Sequence, residues 1–123
     1  MIKIILWGKV KKGDQRGKSL GFPTANFLLH KKIPQGIYIS MTKINNKQLP
    51  SLTFIGNAKT YNSNEIKAES FILNFNKDIY GKWISVTLLK KTRKNIKFNS
   101  EKDLVSQMNK DLVKAKKYFD LDA

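Results

Sequence analysis

Thr24 and Asn26 stand two residues apart at the end of a glycine-rich stretch, Gly13-Asp14-Gln15-Arg16-Gly17-Lys18-Ser19-Leu20-Gly21-Phe22-Pro23-Thr24-Ala25-Asn26. In an extended backbone side chains alternate, so these two point to the same side. A hydroxyl and an amide oxygen are hard, neutral donors that suit Mg²⁺, which keeps several waters and shares the phosphates of a nucleotide. The glycines allow backbone N–H groups to approach a phosphate closely, and Arg16 or Lys18 would neutralise it. Gly17-Lys18-Ser19 invites comparison with the phosphate-binding loop GxxxxGK[ST]. The comparison fails: that spacing needs a glycine at Lys12, the glycine is Gly13, and Pro23 ends any helix that should follow. The plain alternative for the stretch is a glycine-rich hairpin loop.

A second candidate is Glu69, the only carboxylate from Ile66 to Asn76. It serves either as a base or as an ion-paired residue at a sheet edge in a lysine-rich chain. Trp7 and Trp83 are aromatic enough to stack on a ligand, but both fall in strand patterns and read as packing residues.

These groups need a frame. Ile2, Ile4 and Leu6 alternate with period two, as half-buried strands do. Gly36–Ile44 reads as a strand closed by the turn Asn45-Asn46, and Leu52–Ile55 as another, ending at Gly56-Asn57. Phe71, Leu73 and Phe75 alternate, and so do Ile84, Val86 and Leu88 after the turn Asn76-Lys77-Asp78. The period then changes: Leu104, Met108, Leu112, Ala115 and Phe119 lie on one helical face, with Ser100 as N-cap, predicting a helix over about 101–118. Short antiparallel strands with one terminal helix predict a small closed barrel, since an open sheet of this size would expose two edges.

The 123 residues contain no repeat or linker and are read as a single domain, 1–123. No cysteine is present and His30 is the only histidine, which excludes disulfides, thiolate sites and imidazole clusters. No apolar run approaches the roughly 20 residues of a membrane helix. Met1–Trp7 is too short for a signal peptide, so a cytoplasmic protein without membrane partners is expected. Lys+Arg number 24 against 9 Asp+Glu, a net charge of +15. The lysines are spread along the chain (Lys11-Lys12, Lys31-Lys32, Lys90-Lys91, Lys116-Lys117), so charge alone names no partner. A basic barrel holding single-stranded nucleic acid is the alternative it leaves open, but Gly-Phe-Pro-Thr-Ala-Asn and Glu69 would then have no purpose.

The stretch ending in Gly21-Phe22-Pro23-Thr24-Ala25-Asn26 resembles the signature loop of the riboflavin kinases. Further landmarks of that family follow in order. They are Pro34-Gln35-Gly36-Ile37-Tyr38, Phe54-Ile55-Gly56-Asn57, Glu69–Phe75, Asp78-Ile79-Tyr80-Gly81-Lys82, and Arg93 with Phe98 five residues on, before a helix holding Gln107 and Asp111. The resemblance spans about Trp7 to Phe119. It implies a six-stranded antiparallel Greek-key barrel with a C-terminal helix. It also implies transfer of the ATP γ-phosphoryl group to the riboflavin 5′-hydroxyl, giving FMN and ADP, with Mg²⁺ as cofactor.

Carried over by position, Thr24 and Asn26 are metal ligands and Glu69 is the catalytic base. Gly17, Lys18, Gly21, Pro23, Thr24, Asn74 and Tyr80 line the ATP site, and Arg93 and Phe98 lie over the flavin. Riboflavin, FMN, ATP and ADP are then the partners, nucleic acid is not expected, and a monomer is. The sequence departs from the family at Lys59, Phe71 and Asn95, where proline, histidine and glutamate are common. These departures bear on the nucleotide pocket and the flavin flap, and leave a non-catalytic flavin-binding barrel as an alternative. The adenylyltransferase module often found ahead of this domain has no counterpart here, so synthesis is expected to stop at FMN.

Overall fold

The computed structural model describes residues 4–11, 21, 23–29, 32–57, 66–75 and 77–121. Six strands and one long helix account for most of them: β1 (Ile4–Lys9), β2 (Ala25–Leu29), β3 (Gly36–Ile44), β4 (Lys47–Asn57), β5 (Ile66–Ile72), β6 (Trp83–Arg93) and α1 (Glu101–Tyr118). The strands form one sheet in the order β1-β6-β3-β4-β5-β2, each neighbour antiparallel. The sheet curls until its two ends nearly meet. Lys11 N–H donates to the Asn26 carbonyl at 2.7 Å, and the Phe27 ring lies against Gly8, where any Cβ would strike it. The result is the barrel that the resemblance implies.

Alternation along each strand sends one set of side chains inward. Leu6, Phe27, Ile55, Ile84 and Val86 fill the interior, all but out of contact with solvent. Five hydroxyl residues share that interior, each 0% exposed. Their oxygens form a continuous chain across β3, β4 and β5: Thr42–Ser51 at 2.8 Å, then Ser51–Ser40, Ser40–Thr53 and Thr53–Ser70 at 2.7 Å each. A buried hydroxyl without a partner costs about 1–3 kcal/mol, and this chain spares each of them that cost.

The outer face of β3–β5 is also covered. Ile37, Ile39, Leu52 and Leu73 pack with Ala115, joined by Phe54, Phe71, Leu112 and Phe119. This second cluster holds α1 against the barrel. The helix begins where expected, with Ser100 Oγ accepting from Asp103 N–H at 3.1 Å.

Several expectations are corrected. Ala25–Leu29 is a strand, although the sequence signals a loop up to Asn26. The strand expected at Phe71–Phe75 lies at Ile66–Ile72, and Leu73-Asn74 is a turn. The cause is the hydroxyl interior: Ala68 and Ser70 point inward, while Phe71 packs under the helix, so apolar spacing marked the wrong face. Trp7 and Trp83 do not pack. They are 64% and 68% exposed. Most of the glycine-rich stretch, including Gly17 and Lys18, lies outside the described residues.

Candidate active site

Register assembles the chemistry. Asn26 on β2 lies directly opposite Glu69 on β5, Glu69 opposite Phe54 on β4, Phe54 opposite Ile37 on β3, and Ile37 opposite Arg93 on β6. Directly paired residues share a face. One row on the outer surface therefore carries an amide, a carboxylate, two apolar side chains and a guanidinium. At about 4.8 Å per strand the row spans roughly 19 Å. Gly56 leaves room for the Phe54 ring, which comes within 2.8 Å of where a Cβ at that position would sit.

At the amide end Asn26 is 7% exposed. Its Nδ2 donates to the Thr24 carbonyl at 3.1 Å and to Thr24 Oγ1 at 3.2 Å, so the two side chains do meet on one side. Asn26 Oδ1 is the one buried side-chain oxygen or nitrogen among the described residues without a hydrogen-bond partner. A buried amide oxygen left in this state is costly unless something binds it. An oxygen-seeking cation fits the donor set. Among the described residues no group of three or more His, Cys, Asp or Glu is placed to hold a metal.

Glu69 is half-buried and its Oε1 meets Lys67 Nζ at 3.2 Å. Lys67 is two residues away on the same strand face, so it was within reach of sequence reasoning, though nothing marked it out.

A cleft of about 320 Å³ opens beside Thr24. Pro23, Thr24 and Tyr80 line it, with Val10, Phe75 and Ile79 as apolar walls and Lys77 and Asp78 as charged ones. The wall is stiffened by a turn in which Asp78 Oδ1 accepts from Tyr80 N–H at 3.0 Å. Gly81 N–H then donates to the Val10 carbonyl at 2.9 Å. Gly81 has φ +80°, a region in which side-chain-bearing residues are strained. Asn74 sits at the neighbouring turn with φ 55° and is exposed; it does not line the cleft. Gly21, at φ 91°, is exposed as well.

Arg93 is committed elsewhere. Its Nε donates to Asp111 Oδ1 at 2.9 Å and its Nη2 to Asp111 Oδ2 at 2.7 Å, while Nη1 reaches the Lys94 carbonyl at 3.1 Å. Gln107 Nε2 adds a bond to Asp111 Oδ1 at 3.1 Å. This fork ties the end of β6 to the middle of α1. Just beyond Arg93, Asn95 Nδ2 donates to the Ile55 carbonyl at 3.2 Å, which ties the segment leading to half-buried Phe98 to β4. The departure at Asn95 thus has a structural use.

The family model for flavokinases, described as riboflavin kinase, matches residues 2–119. The chain belongs to this family. The bifunctional riboflavin kinase/FMN adenylyltransferase of Buchnera aphidicola subsp. Schizaphis graminum is 37% identical over 119 residues, covering 93% of this chain and 38% of that protein. The trifunctional protein RibF/MnmA of Mycoplasmoides gallisepticum is 36% identical over 117 residues, 93% of this chain and 18% of that one. The chain therefore spans well under half the length of these curated relatives. Among solved structures, a macrolide-efflux protein from Streptococcus pneumoniae superposes with a TM-score of 0.83 at 31% identity, over 91% of this chain and 38% of that one. Riboflavin kinase from Trypanosoma brucei gives 0.66 at 24% identity, over 96% and 80%. That last likeness supports the fold: a mainly antiparallel six-stranded barrel with a C-terminal helix.

Proposed function

We propose that this chain transfers the γ-phosphoryl group of MgATP to the 5′-hydroxyl of riboflavin, giving FMN and ADP. The observation that carries the reading is the pairing of Asn26 with Glu69, which puts an unsatisfied buried amide oxygen next to a carboxylate, with Asn26 bonded to Thr24 on the wall of the cleft. Phosphoryl transfer needs positioning, charge neutralisation and a group that orients the attacking hydroxyl, and little else from the protein.

Thr24 and Asn26 would hold Mg²⁺, which when bound neutralises charge on the transferring phosphates. The cleft lined by Pro23, Thr24 and Tyr80 takes the nucleotide, its apolar walls facing the base. Glu69 accepts the proton of the ribityl 5′-hydroxyl as that oxygen bonds to the γ-phosphorus and the bond to the β,γ-bridging oxygen breaks, with ADP leaving. Phe54, only partly buried, offers an apolar surface beside Glu69 for the flavin ring. In this reading Phe98 covers the flavin, and Arg93 holds the segment that carries it to α1. Gly17, Lys18 and Gly21 complete the nucleotide site, and Asn74, outside the cleft lining, is left out of it.

We place the reaction in a single 123-residue domain acting as a cytoplasmic monomer. Among the described residues no helix is long and apolar enough to cross a membrane.

The test is chromatographic detection of FMN from riboflavin, ATP and Mg²⁺, with Glu69→Gln alongside. A general base contributes about 10²–10⁴-fold, so kcat should fall by that much while the melting temperature holds. Near-normal turnover by the variant would remove Glu69 from the mechanism.

A further inference from the structure

Trp7 and Trp83 are not used by the kinase chemistry, yet they are the two most exposed large hydrophobic side chains among the described residues. They sit on the outer face of neighbouring strands. Lys9 pairs with Trp83 and Ser85 with Trp7, so the two indoles are diagonal neighbours, about 7–8 Å apart at the backbone. Ser85 in turn pairs with exposed Lys43 on β3. The indoles are thus flanked by lysines on both sides, Lys9 from β1 and Lys43 from β3.

The same face continues along β6. Ser40 pairs with Leu88 but Ile39 with Lys90, one residue more on β6 than on β3. The extra residue is a bulge, and it turns Lys90 outward beside Ile39. There Lys90, Lys91, Lys114 and Lys117 surround a cleft of about 400 Å³ between β6 and α1. Tyr118, 46% exposed, stands on its wall. None of these four lysines is ion-paired with a carboxylate among the described residues. Trp83 to Lys91 is eight residues of strand, roughly 26 Å. Glu69 and Asn26 lie on other strands, β5 and β2.

We infer that this face, from Trp83 along β6 to the lysine cleft, binds single-stranded nucleic acid. The chemistry is that of sequence-tolerant strand binders: aromatic platforms on which bases stack, and a basic groove that follows the phosphates. Each half excludes a simpler ligand. A lone phosphate or an acidic peptide would use the lysines and leave both indoles in water. A purely apolar partner would have to bury the lysines unpaired. The net charge of +15 supplies long-range attraction for a polyanion.

The test is fluorescence anisotropy of labelled rU12 and dT12 titrated with the intact chain at low salt. Duplex DNA of equal length and poly-glutamate serve as competitors. Both single strands should bind in the micromolar range, quench tryptophan emission and weaken steeply as salt rises. Trp7→Ala with Trp83→Ala should weaken binding at least 10-fold, since stacking on one aromatic ring is worth about 5- to 150-fold. Lys114→Glu with Lys117→Glu should weaken it too and flatten the salt dependence. Both double variants change exposed side chains, so FMN formation from riboflavin should stay at the wild-type rate. The inference is overturned if the wild type fails to bind, or if the tryptophan variant binds as tightly as the wild type. It is also overturned if duplex or poly-glutamate competes equally well, which would reduce the effect to charge. Dimerisation that the tryptophan variant abolishes, without strand binding, would assign the face to a second copy of the chain instead.

Discussion

Replacing Asp111 by Asn keeps the size of the side chain and removes the charge that holds Arg93. The fork it breaks is enclosed: the side chains of Arg93 and Asp111 are 14% and 4% exposed. Removing one partner of a buried pair costs about 3–5 kcal/mol, because the other charge stays behind unpaired. Arg93 keeps its bond to the Lys94 carbonyl on the exposed side, so the lower end, about 3 kcal/mol, applies. For a domain of this size each kcal/mol moves the melting temperature by about 4 °C, so a drop of about 12 °C is expected. Urea unfolding followed by circular dichroism should show the same loss as a lower midpoint at unchanged slope. A second arm separates structure from binding. Arg93→Met combined with Asp111→Leu replaces the pair with apolar groups and should recover most of the stability. The reasoning fails if Asp111→Asn costs less than about 1 kcal/mol, or if the double variant is no better than the single. If Arg93 were chiefly a flavin contact, Arg93→Met would raise KM for riboflavin in a protein as stable as the parent.

Asn26→Ala removes the unsatisfied oxygen and should raise the Mg²⁺ concentration needed for half-maximal turnover, with riboflavin affinity measured by fluorescence quenching nearly unchanged; equal metal dependence in the variant would argue against ligation. Gly8→Ala drives a methyl group into the Phe27 ring and should cost about 1–3 kcal/mol, read from denaturant unfolding. Burial pushes the Tyr38 phenol above its usual 10.0, while its hydroxyl donates to the Pro34 carbonyl. A raised value favours the protonated form in the folded state, so this contribution to stability is complete below pH 10.0 and lost as pH rises through the raised value. Absorbance titration at alkaline pH should show one of the four tyrosines ionising late, and all four titrating together would contradict the burial.

The barrel was legible where one face is apolar and the other polar. Ile84, Val86 and Leu88 alternate as read, and the helical spacing from Leu104 to Phe119 has Ser100 at its start. Reading failed where that contrast fails. β5 is covered on both faces, by the barrel interior and by α1, and its inward residues include Ala68 and Ser70 while Phe71 faces the helix, so hydrophobicity gave no usable alternation. β2 was hidden because its five residues directly follow a loop signal. For the site, the two-residue spacing of Thr24 and Asn26 made their common side readable. Their proximity to Glu69, 43 positions beyond Asn26, depends on β2 pairing with β5, which no local pattern encodes. Asp111 looked like an ordinary polar residue on an amphipathic helix, and only its place opposite Arg93 explains why it is buried. The exposure of Trp7 and Trp83 was readable but missed: the alternation that turns Leu6 and Ile84 inward turns both tryptophans outward, while their aromatic character argues for packing instead.

The hydroxyl chain inside the barrel has a consequence for how this sequence can change over time. Each of Thr42, Ser51, Ser40, Thr53 and Ser70 carries a single proton, and four contacts join the five oxygens. Donation must therefore run one way along the whole chain or change direction at a member that accepts twice. Altering the orientation at Ser70, which borders the cleft beside Thr24, obliges its neighbours to reorient as well. Ser51→Ala strands the Thr42 hydroxyl and Thr53→Val strands that of Ser70 in a dry interior, at about 1–3 kcal/mol. Replacing an end pair together, Thr42 with Ser51 or Thr53 with Ser70, leaves no orphan if the volume is kept. Lineages of this barrel should then differ at these positions in blocks rather than one residue at a time, with intermediates passing through a stability valley that a small domain has little reserve to cross.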